Sequence, residues 1–361
     1  MAPHELSFSA NGEAEMFYTG DRKPWHGFGQ ELDRPATADE AIRAAHLDWN
    51  VTLTSVHDSA GHQVDPYRFV VRTDNGKKLG IRTKTYSVVQ NVDAFGLFDA
   101  IIGPGQGVYE TAGALREGRI VWILASMGDP KELVKGDEIR PYVLLSTSHD
   151  GSLPLQLRQT PIRVVCWNTL QYAVRAKMRG RSNSDVVTIR HTGNVERKAV
   201  NAREVLGLTE VYFERMMEGA NALVDAQLNG KSLDDFAFSL FSPRNEHHIH
   251  PNTEEDILKL KHLFTNGRGQ DIPGVGGTAW AAYNAATEFV DYFQRVGHGE
   301  LGEAPDARLY KAWFKSGRGL KIRAWELLQD YANRGDLAWG NVRRLTDDEV
   351  TRAAYSELEV A

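Results

Sequence analysis

The strongest constraint on the fold is a change in hydrophobic periodicity near residue 192. Before it, short stretches alternate apolar and polar residues, which is typical of strands. After it, apolar residues recur at helical spacing and strand patterns vanish. This order predicts an α+β fold, with an N-terminal antiparallel β-meander with helices and a mainly α-helical C-terminal part. We predict three parts: an arm over 1–36, a β-rich α+β domain over 37–192 and a helical domain over 193–361.

Local signals locate several elements of the β-rich part. Thr37 predicts the N-cap of a helix, and Asp74-Asn-Gly-Lys77 predicts a hairpin turn between strands at 67–72 and 79–83. Downstream, alternating stretches predict a longer meander that runs into a helix. Its four strands are expected at 109–115, 119–126, 138–148 and 153–160, and the helix at 166–178.

Composition narrows the class of protein. The single cysteine, Cys166, excludes an intramolecular disulfide and a thiolate-rich metal cage. No apolar run approaches the ~20 residues that span a bilayer, and the first residues lack the basic and apolar regions of a signal peptide. We therefore expect a cytosolic protein, without a membrane partner and without a cofactor.

Positive charge is concentrated in one segment of an otherwise acidic chain. Residues 158–203 contain ten Lys or Arg and two acidic residues, a charge of +8, so the remainder carries −14 of the total of −6. Such asymmetry is typical of a single anion-binding face, although a solvated basic surface has the same signature. We predict nucleic-acid contacts from Arg158, Arg163, Arg175, Lys177, Arg179, Arg181 and Arg190, with Trp167 and Tyr172 as candidates for base stacking.

A glycine-rich loop offers a second candidate anion site. Residues 265–278 precede a predicted helix, where backbone N–H groups favour anions, and Arg268 adds charge. The loop lacks the Gly-Lys-Ser/Thr ending of a nucleotide-binding P-loop, so nucleotide hydrolysis is unsupported. A plain structural turn is the alternative interpretation.

Four sequence blocks resemble the phage/plasmid-like protein family built on domain of unknown function 932. The resemblance implies an origin in a bacteriophage, prophage or plasmid and no established activity, so no catalytic residues carry over. In element order alone, residues 119–178 also resemble phage single-strand annealing proteins, which oligomerise and hold single strands in a basic groove. The four blocks are Pro24-Trp-His-Gly-Phe-Gly29, Ser146-Thr-Ser-His-Asp-Gly-Ser152, Thr160-Pro-Ile-Arg-Val-Val-Cys-Trp-Asn-Thr-Leu170 and Gly277-Thr-Ala-Trp-Ala-Ala-Tyr-Asn-Ala-Ala-Thr-Glu-Phe-Val-Asp291.

These observations favour a non-enzymatic nucleic-acid-binding protein of a phage or plasmid, binding single-stranded DNA in recombination or replication. A metal-dependent nuclease or phosphoesterase is an alternative, because His247, His248 and His250 could hold a divalent cation. Loop solvation also explains those histidines, and the Asp-Gly turn explains His149-Asp150. A third possibility is an interaction protein that counters a host defence system.

The arm predicts a homo-oligomer. Residues 1–36 are rich in aromatic side chains but lack regular periodicity, so Trp25 and Phe28 are candidates for a subunit contact. The alternative is an arm that folds back on its own subunit, and the sequence does not decide between the two.

Overall fold

A computed structural model describes residues 6–9, 11–19, 28–102, 107–163, 168–169, 186–189, 212–228, 230–241, 251–295, 312 and 316–335. The chain forms two compact units that are not consecutive in sequence. The first comprises 1–129, 140–160 and 176–212, and the second comprises 130–139, 161–175 and 213–361. Antiparallel sheets followed by a mainly helical region confirm the predicted α+β class. The sequence predicts consecutive parts, whereas two short segments of the β-rich half belong to the second unit.

The described chain contains strands, helices and one π-helical turn, Phe289–Phe293, which continues α6. In chain order the strands and helices are β1 (Met16–Thr19), β2 (Gln30–Leu32), α1 (Ala38–Ala44), β3 (Val51–His57), β4 (Gln63–Arg72), β5 (Lys78–Thr83), α2 (Asn91–Ile102), β6 (Val108–Leu115), β7 (Ile120–Ser126), β8 (Lys131–Val134), β9 (Asp137–Arg140), β10 (Tyr142–Ser148), β11 (Leu155–Gln159), β12 (Ile162–Arg163), β13 (Asn168–Thr169), β14 (Val186–Ile189), α3 (212–225), α4 (Gly230–Phe241), α5 (Pro251–Asn266), α6 (Ala279–Glu288) and α7 (Ser316–Arg334).

A seven-stranded sheet is the framework of the first unit. Its order is β14-β11-β10-β7-β6-β1-β2, and its pairings are antiparallel except for β1 with β2. One face packs on α1, α2 and a three-stranded sheet, β3-β4-β5. Burial of each large apolar side chain there contributes roughly 1.5–3 kcal/mol. The core includes Phe17, Ala112, Ile123, Leu145 and Leu157 of the large sheet, Ile42 of α1, Phe95 and Phe98 of α2, and Val70 and Leu79 of the small sheet.

Two local predictions are confirmed in this unit. Thr37 caps α1 through a capping box, in which its hydroxyl accepts from the backbone N–H of Glu40 and its own N–H donates to the Glu40 carboxylate. The predicted hairpin turn joins β4 to β5, and Gly76 adopts a φ of +70° there. Both signals are local, so distant contacts did not override them.

A buried ion pair connects the two sheets of the first unit. The guanidinium of Arg72, at the end of β4, donates to both carboxylate oxygens of Glu15 at 2.6 and 3.1 Å. Both side chains are almost completely buried, with 2% and 0% exposed. Arg72 also binds Asp74 and lies 4.0 Å from the ring centroid of Trp49. Burial raises the pKa of Glu15, and the hydrogen bond from Arg72 opposes that rise.

Most of the described part of the N-terminal arm packs against the rest of its own chain. Strand β1 pairs with β6 inside the large sheet, and Phe17 lies in the core. Phe28 remains 40% exposed and makes an edge-on contact with Phe8. Gly29 has a φ of +109°, and a Cβ there would lie 3.1 Å from the Met16 carbonyl oxygen, which accounts for the second glycine of the Pro24–Gly29 block. Trp25 lies outside the described residues.

The second unit is mainly helical. Helix α6 is buried on every side; alanine and aromatic residues make up most of it, and Asn284, Thr287 and Glu288 are buried polar residues. Strands β8, β9, β12 and β13 form a small sheet in this unit, and Asp137 of β9 accepts a 2.9 Å hydrogen bond from the indole of Trp280. Lys321 of α7 is fully buried and pairs with Asp291 of the π-helical turn. Among the described residues, no helix is long and apolar enough to cross a membrane.

Two element predictions are wrong. The run over 138–148 is not one strand: Pro141, which cannot donate a backbone hydrogen bond, separates β9 and β10, which lie in different sheets. The helix expected from Cys166 does not include Asn168–Thr169, which form β13 and pair with β12. The pairing of β13 with the neighbouring β12 there overrides an apolar pattern that is compatible with either structure.

We predict that Arg72→Leu lowers the free energy of unfolding by about 3–5 kcal/mol, because Glu15 would remain buried without its partner. The double variant Glu15→Leu/Arg72→Leu should recover much of this loss, since no charge is then buried. Urea denaturation of the two single variants and the double variant measures the coupling. Asp74→Asn is the control for the other Arg72 contact. It should lower the free energy of unfolding by less, because Asp74 is partly exposed. Strictly additive losses in the double variant would contradict the assignment.

Candidate nucleic-acid interface

Most of the predicted basic face lies outside the described residues. This holds for Arg175, Lys177, Arg179, Arg181 and Arg190, and for the stacking candidates Trp167 and Tyr172. For Arg163 the structure describes the backbone in β12 but not the side chain. Strand β14, which follows this segment in sequence, pairs with β11 at one edge of the seven-stranded sheet. The role of the basic residues in binding stays a prediction.

Arg158 is described, and it is buried. It lies on β11 opposite Leu144 of β10, and its side chain is only 6% exposed. On the same strand, Gln156 donates a 3.1 Å hydrogen bond to the Ser146 hydroxyl. An arginine enclosed in this way presents little of its guanidinium to a phosphate. Exposed cations are better placed for such a contact.

The glycine-rich loop precedes α6, as predicted, and several of its backbone donors are already bonded within the protein. Thr278 caps the helix, and the N–H groups of Val275 and Thr278 donate to carbonyl groups within the loop. The N–H of Arg268 donates to a carboxylate oxygen of Glu288 at 3.0 Å, so the chain's own anion occupies that position. A Cβ on Gly267 would lie 2.4 Å from the Leu263 carbonyl oxygen, so close backbone approach requires a glycine. These contacts favour the structural interpretation of the loop.

Arg268 remains the exposed cation of this loop. Its side chain is 53% exposed, its Nε lies 3.9 Å from Glu288, and its guanidinium lies 4.6 Å from the ring centroid of Tyr292. A partly compensated, stacked arginine can still contact a phosphate through its outer N–H groups. Its role in nucleic-acid binding stays a prediction.

The histidines give no support for a metal centre. His247, His248 and His250 lie outside the described residues, and within those residues no three His, Cys, Asp or Glu side chains form a group that could hold a metal ion. His149 is buried, with its Nε2 3.0 Å from Asn91 Oδ1 and its ring against Trp49. Asp150 accepts from the backbone N–H of Ser152, a turn contact. His149 therefore packs against α2 and Trp49, whereas Asp150 stabilises the turn.

The outer face of the three-stranded sheet is an exposed apolar surface that the sequence patterns did not predict. Cross-strand partners share a face of a sheet, and the registers group Thr54 with Phe69 and Ile81, and Tyr67 with Thr83. Among the described residues, five large apolar side chains are exposed, and two of them, Tyr67 at 46% and Ile81 at 48%, lie on this face. We call this surface the outer face; it consists of Thr52, Thr54, Tyr67, Phe69, Val71, Lys78, Ile81 and Thr83.

The polarity of β4 is inverted relative to an ordinary half-buried strand. Its inner side carries Arg68 and the buried Arg72 beside Val70, whereas its outer side carries Tyr67, Phe69 and Val71. A strand that only covered a core would expose its arginines and bury its aromatic residues. Clustered exposed apolar side chains mark a binding surface.

Cations border the outer face. Residues 75–84 contain four basic residues and no acidic one. The Lys78 ammonium lies 4.5 Å from the ring centroid of Phe69, a cation–π contact within the face itself. Lys77 pairs with Glu117 and the charge of Lys84 acts on Asp65, whereas Lys78 forms no ion pair with any described residue. The face therefore combines exposed rings with one cation, Lys78, that pairs with no described carboxylate.

Comparison with known proteins identifies the family. No curated protein and no solved structure is significantly similar to the chain. The family model described as "Domain of unknown function (DUF932)" matches residues 78–334, about seven tenths of the chain, including β5, the glycine-rich loop and α7. The chain belongs to the DUF932 family.

Proposed function

We propose that the protein binds single-stranded nucleic acid, single-stranded DNA in particular, with little sequence preference. The observation that carries the proposal is the outer face of the three-stranded sheet, where Tyr67 and Phe69 share one face and Lys78 lies over the ring of Phe69. Unpaired bases stack on aromatic side chains that an open sheet presents, and any base can do so because each has a π-face. Stacking without base-edge hydrogen bonds gives binding without sequence readout.

Charge supports a polyanionic occupant over an uncharged peptide. Lys78 lies over the ring of Phe69, and no acidic residue interrupts positions 75–84. The segment 158–203 adds a further charge of +8, which is available to a phosphate backbone wherever its side chains are exposed. Both features lie in an otherwise acidic chain, so the positive charge is local.

The biological setting is part of the same proposal. We infer a protein of a phage or plasmid that acts on single strands in recombination or replication, in the cytoplasm of the bacterial host. We further propose that it acts as a homo-oligomer. In the described fold, β2 and β14 end the large sheet, and such edges are available for pairing with another subunit.

We predict salt-dependent binding to a mixed-sequence single-stranded oligonucleotide. Neutralisation of about five phosphates gives a slope of log K against log salt near −3.5, from ~0.7 per phosphate. The variant Arg175→Ser/Lys177→Ser/Arg179→Ser/Arg181→Ser should flatten this slope by roughly 0.7 for each phosphate that is no longer neutralised. Fluorescence anisotropy over a salt series measures both slopes.

The fold must survive this fourfold substitution for the comparison to hold. Exposed charge changes usually alter stability by under ~0.5 kcal/mol each, so the melting temperature should stay within a few degrees. Absence of binding at low salt, or binding that is indifferent to salt, would refute the proposed function. If the folded fourfold variant keeps the wild-type slope of log K against log salt, these four residues are not part of the interface.

We predict that Tyr67→Ser and Phe69→Ser each weaken oligonucleotide binding at least about fivefold, since stacking contributes ~1–3 kcal/mol per base. Tyr67→Phe keeps the ring and should keep the affinity. Val92→Ser is the matched control, because Val92 is an exposed apolar residue of α2, 60% accessible and outside the outer face. Equal effects of Tyr67→Ser and Val92→Ser would show that the outer face is not the binding surface.

A further inference from the structure

Strand β3 lies at one edge of the three-stranded sheet, and its sequence does nothing to protect that edge. The order β3-β4-β5 pairs β3 on one side only. Natural edge strands often carry charges or proline, which discourage pairing with another chain. The opposite edge strand, β5, carries Lys78 and Arg82, whereas Val51–His57 contains no Lys, Arg, Asp, Glu or Pro. The edge of β3 is therefore suited to pairing with a further strand.

The hydrogen bonds of Gln90 show which backbone groups of β3 point away from β4. The Gln90 side chain accepts from the Val51 N–H and donates to the Val51 carbonyl, both at 2.9 Å, as a neighbouring strand would. Backbone groups alternate in direction along an antiparallel strand, so those of Leu53 and Ser55 also point to the open edge. At this edge the backbone groups of these two residues form no hydrogen bond with a described residue. Gln90 thus closes the edge at Val51 and leaves it open at Leu53 and Ser55.

The open stretch of β3 is limited on both sides, which restricts the register of an added strand. Gln90 occupies the groups of Val51, and the pairing with β4 is irregular between Ser55 and His57. An antiparallel second copy of β3 uses only the open groups when Leu53 lies opposite the partner's Ser55. Thr54 then lies opposite the partner's Thr54, on the two-fold axis. The two symmetric pairs around this axis give four hydrogen bonds between the chains.

The side chains of β3 suit self-pairing in this register. Thr54 is exposed on the outer face, and Thr–Thr pairs on neighbouring strands are favourable. No like charges meet, because this strand has no charged Lys, Arg, Asp or Glu side chain. The two-fold axis of an antiparallel strand pair is perpendicular to the sheet, so the outer faces of both copies point to the same side. Two-fold dimers with such self-complementary contacts are the commonest homo-oligomers.

We propose that two copies of the chain associate through β3, antiparallel and centred on Thr54, which joins their three-stranded sheets into one six-stranded sheet. The two outer faces then form one surface, which carries Tyr67 and Phe69 of both copies. The inference rests on the homo-oligomer of the proposed function and specifies its interface. The association itself requires no nucleic acid.

Sedimentation velocity of the full-length protein over a concentration series, without nucleic acid, tests this proposal. Wild type should sediment as a dimer. Thr54→Lys and Thr54→Glu should each weaken dimerisation about fivefold or more, because like charges would lie directly opposite each other at the axis. An equimolar mixture of the two variants should recover the dimer, since opposite charges then face each other. Thr85→Lys is the matched control: Thr85 is an exposed threonine outside β3, and this variant should dimerise like wild type.

The variant Ser55→Pro tests the edge by a different route. The Ser55 N–H points away from β4, so proline there removes no hydrogen bond of the sheet, and edge strands tolerate proline at such positions. The variant should keep its melting temperature within a few degrees of wild type and sediment as a monomer.

Three outcomes would overturn the proposal: a monomeric wild type, a wild-type dimer in folded Ser55→Pro, or a mixture of Thr54→Lys and Thr54→Glu that stays monomeric. A monomeric wild type that binds the oligonucleotide would overturn this inference and leave nucleic-acid binding in place. A dimer that behaves as predicted but binds no oligonucleotide would support the β3 interface and refute nucleic-acid binding. The two failures are therefore distinguishable.

Discussion

The buried guanidinium of Arg72 is the constraint on which the exposed surface of the first unit depends. It binds Glu15, which directly precedes β1 of the large sheet, and it lies over Trp49. It also lies against Gly118, in the turn between β6 and β7, where a Cβ would approach its Nη1 to 2.8 Å and φ is +91°. Because a charge buried this deeply needs all of its partners, the end of β4 has one orientation in the unit. The side of β4 that carries Arg72 therefore faces inward.

The outer face follows from that orientation. Successive residues of a strand point in opposite directions, so Tyr67, Phe69 and Val71 face solvent when Arg72 faces the core. Ordinary alternation favours the reverse, with the aromatic residues inside and the arginines outside. The sequence predicts β4, β5 and the turn between them, because those signals are local. It does not predict which face is buried, because that depends on Glu15, 57 residues away along the chain.

The second unit shows the same limit of sequence reasoning at the glycine-rich loop. A glycine-rich segment before a helix is compatible with an anion site or with close packing. Glu288, twenty positions after Arg268, favours packing because its carboxylate accepts the hydrogen bond from the Arg268 N–H. At β13 the difficulty is local: the apolar run after Ile162 is compatible with a helix or with a short hairpin, and Asn168–Thr169 pair with the neighbouring β12. The cap at Thr37 and the turn at 74–77 were predictable from local signals. Partners remote in sequence, such as Glu15 and Glu288, were not.

The most direct test of the central claim is to locate the bound strand on the protein. A photoreactive single-stranded oligonucleotide that contains 5-iodouracil forms covalent links to aromatic side chains in contact with its bases, and mass spectrometry identifies the linked residues. The outer face predicts links at Tyr67 and Phe69 that increase as salt is lowered and disappear with unlabelled competitor. Efficient, competable links confined to other parts of the chain would contradict the assignment of the outer face as the nucleic-acid interface.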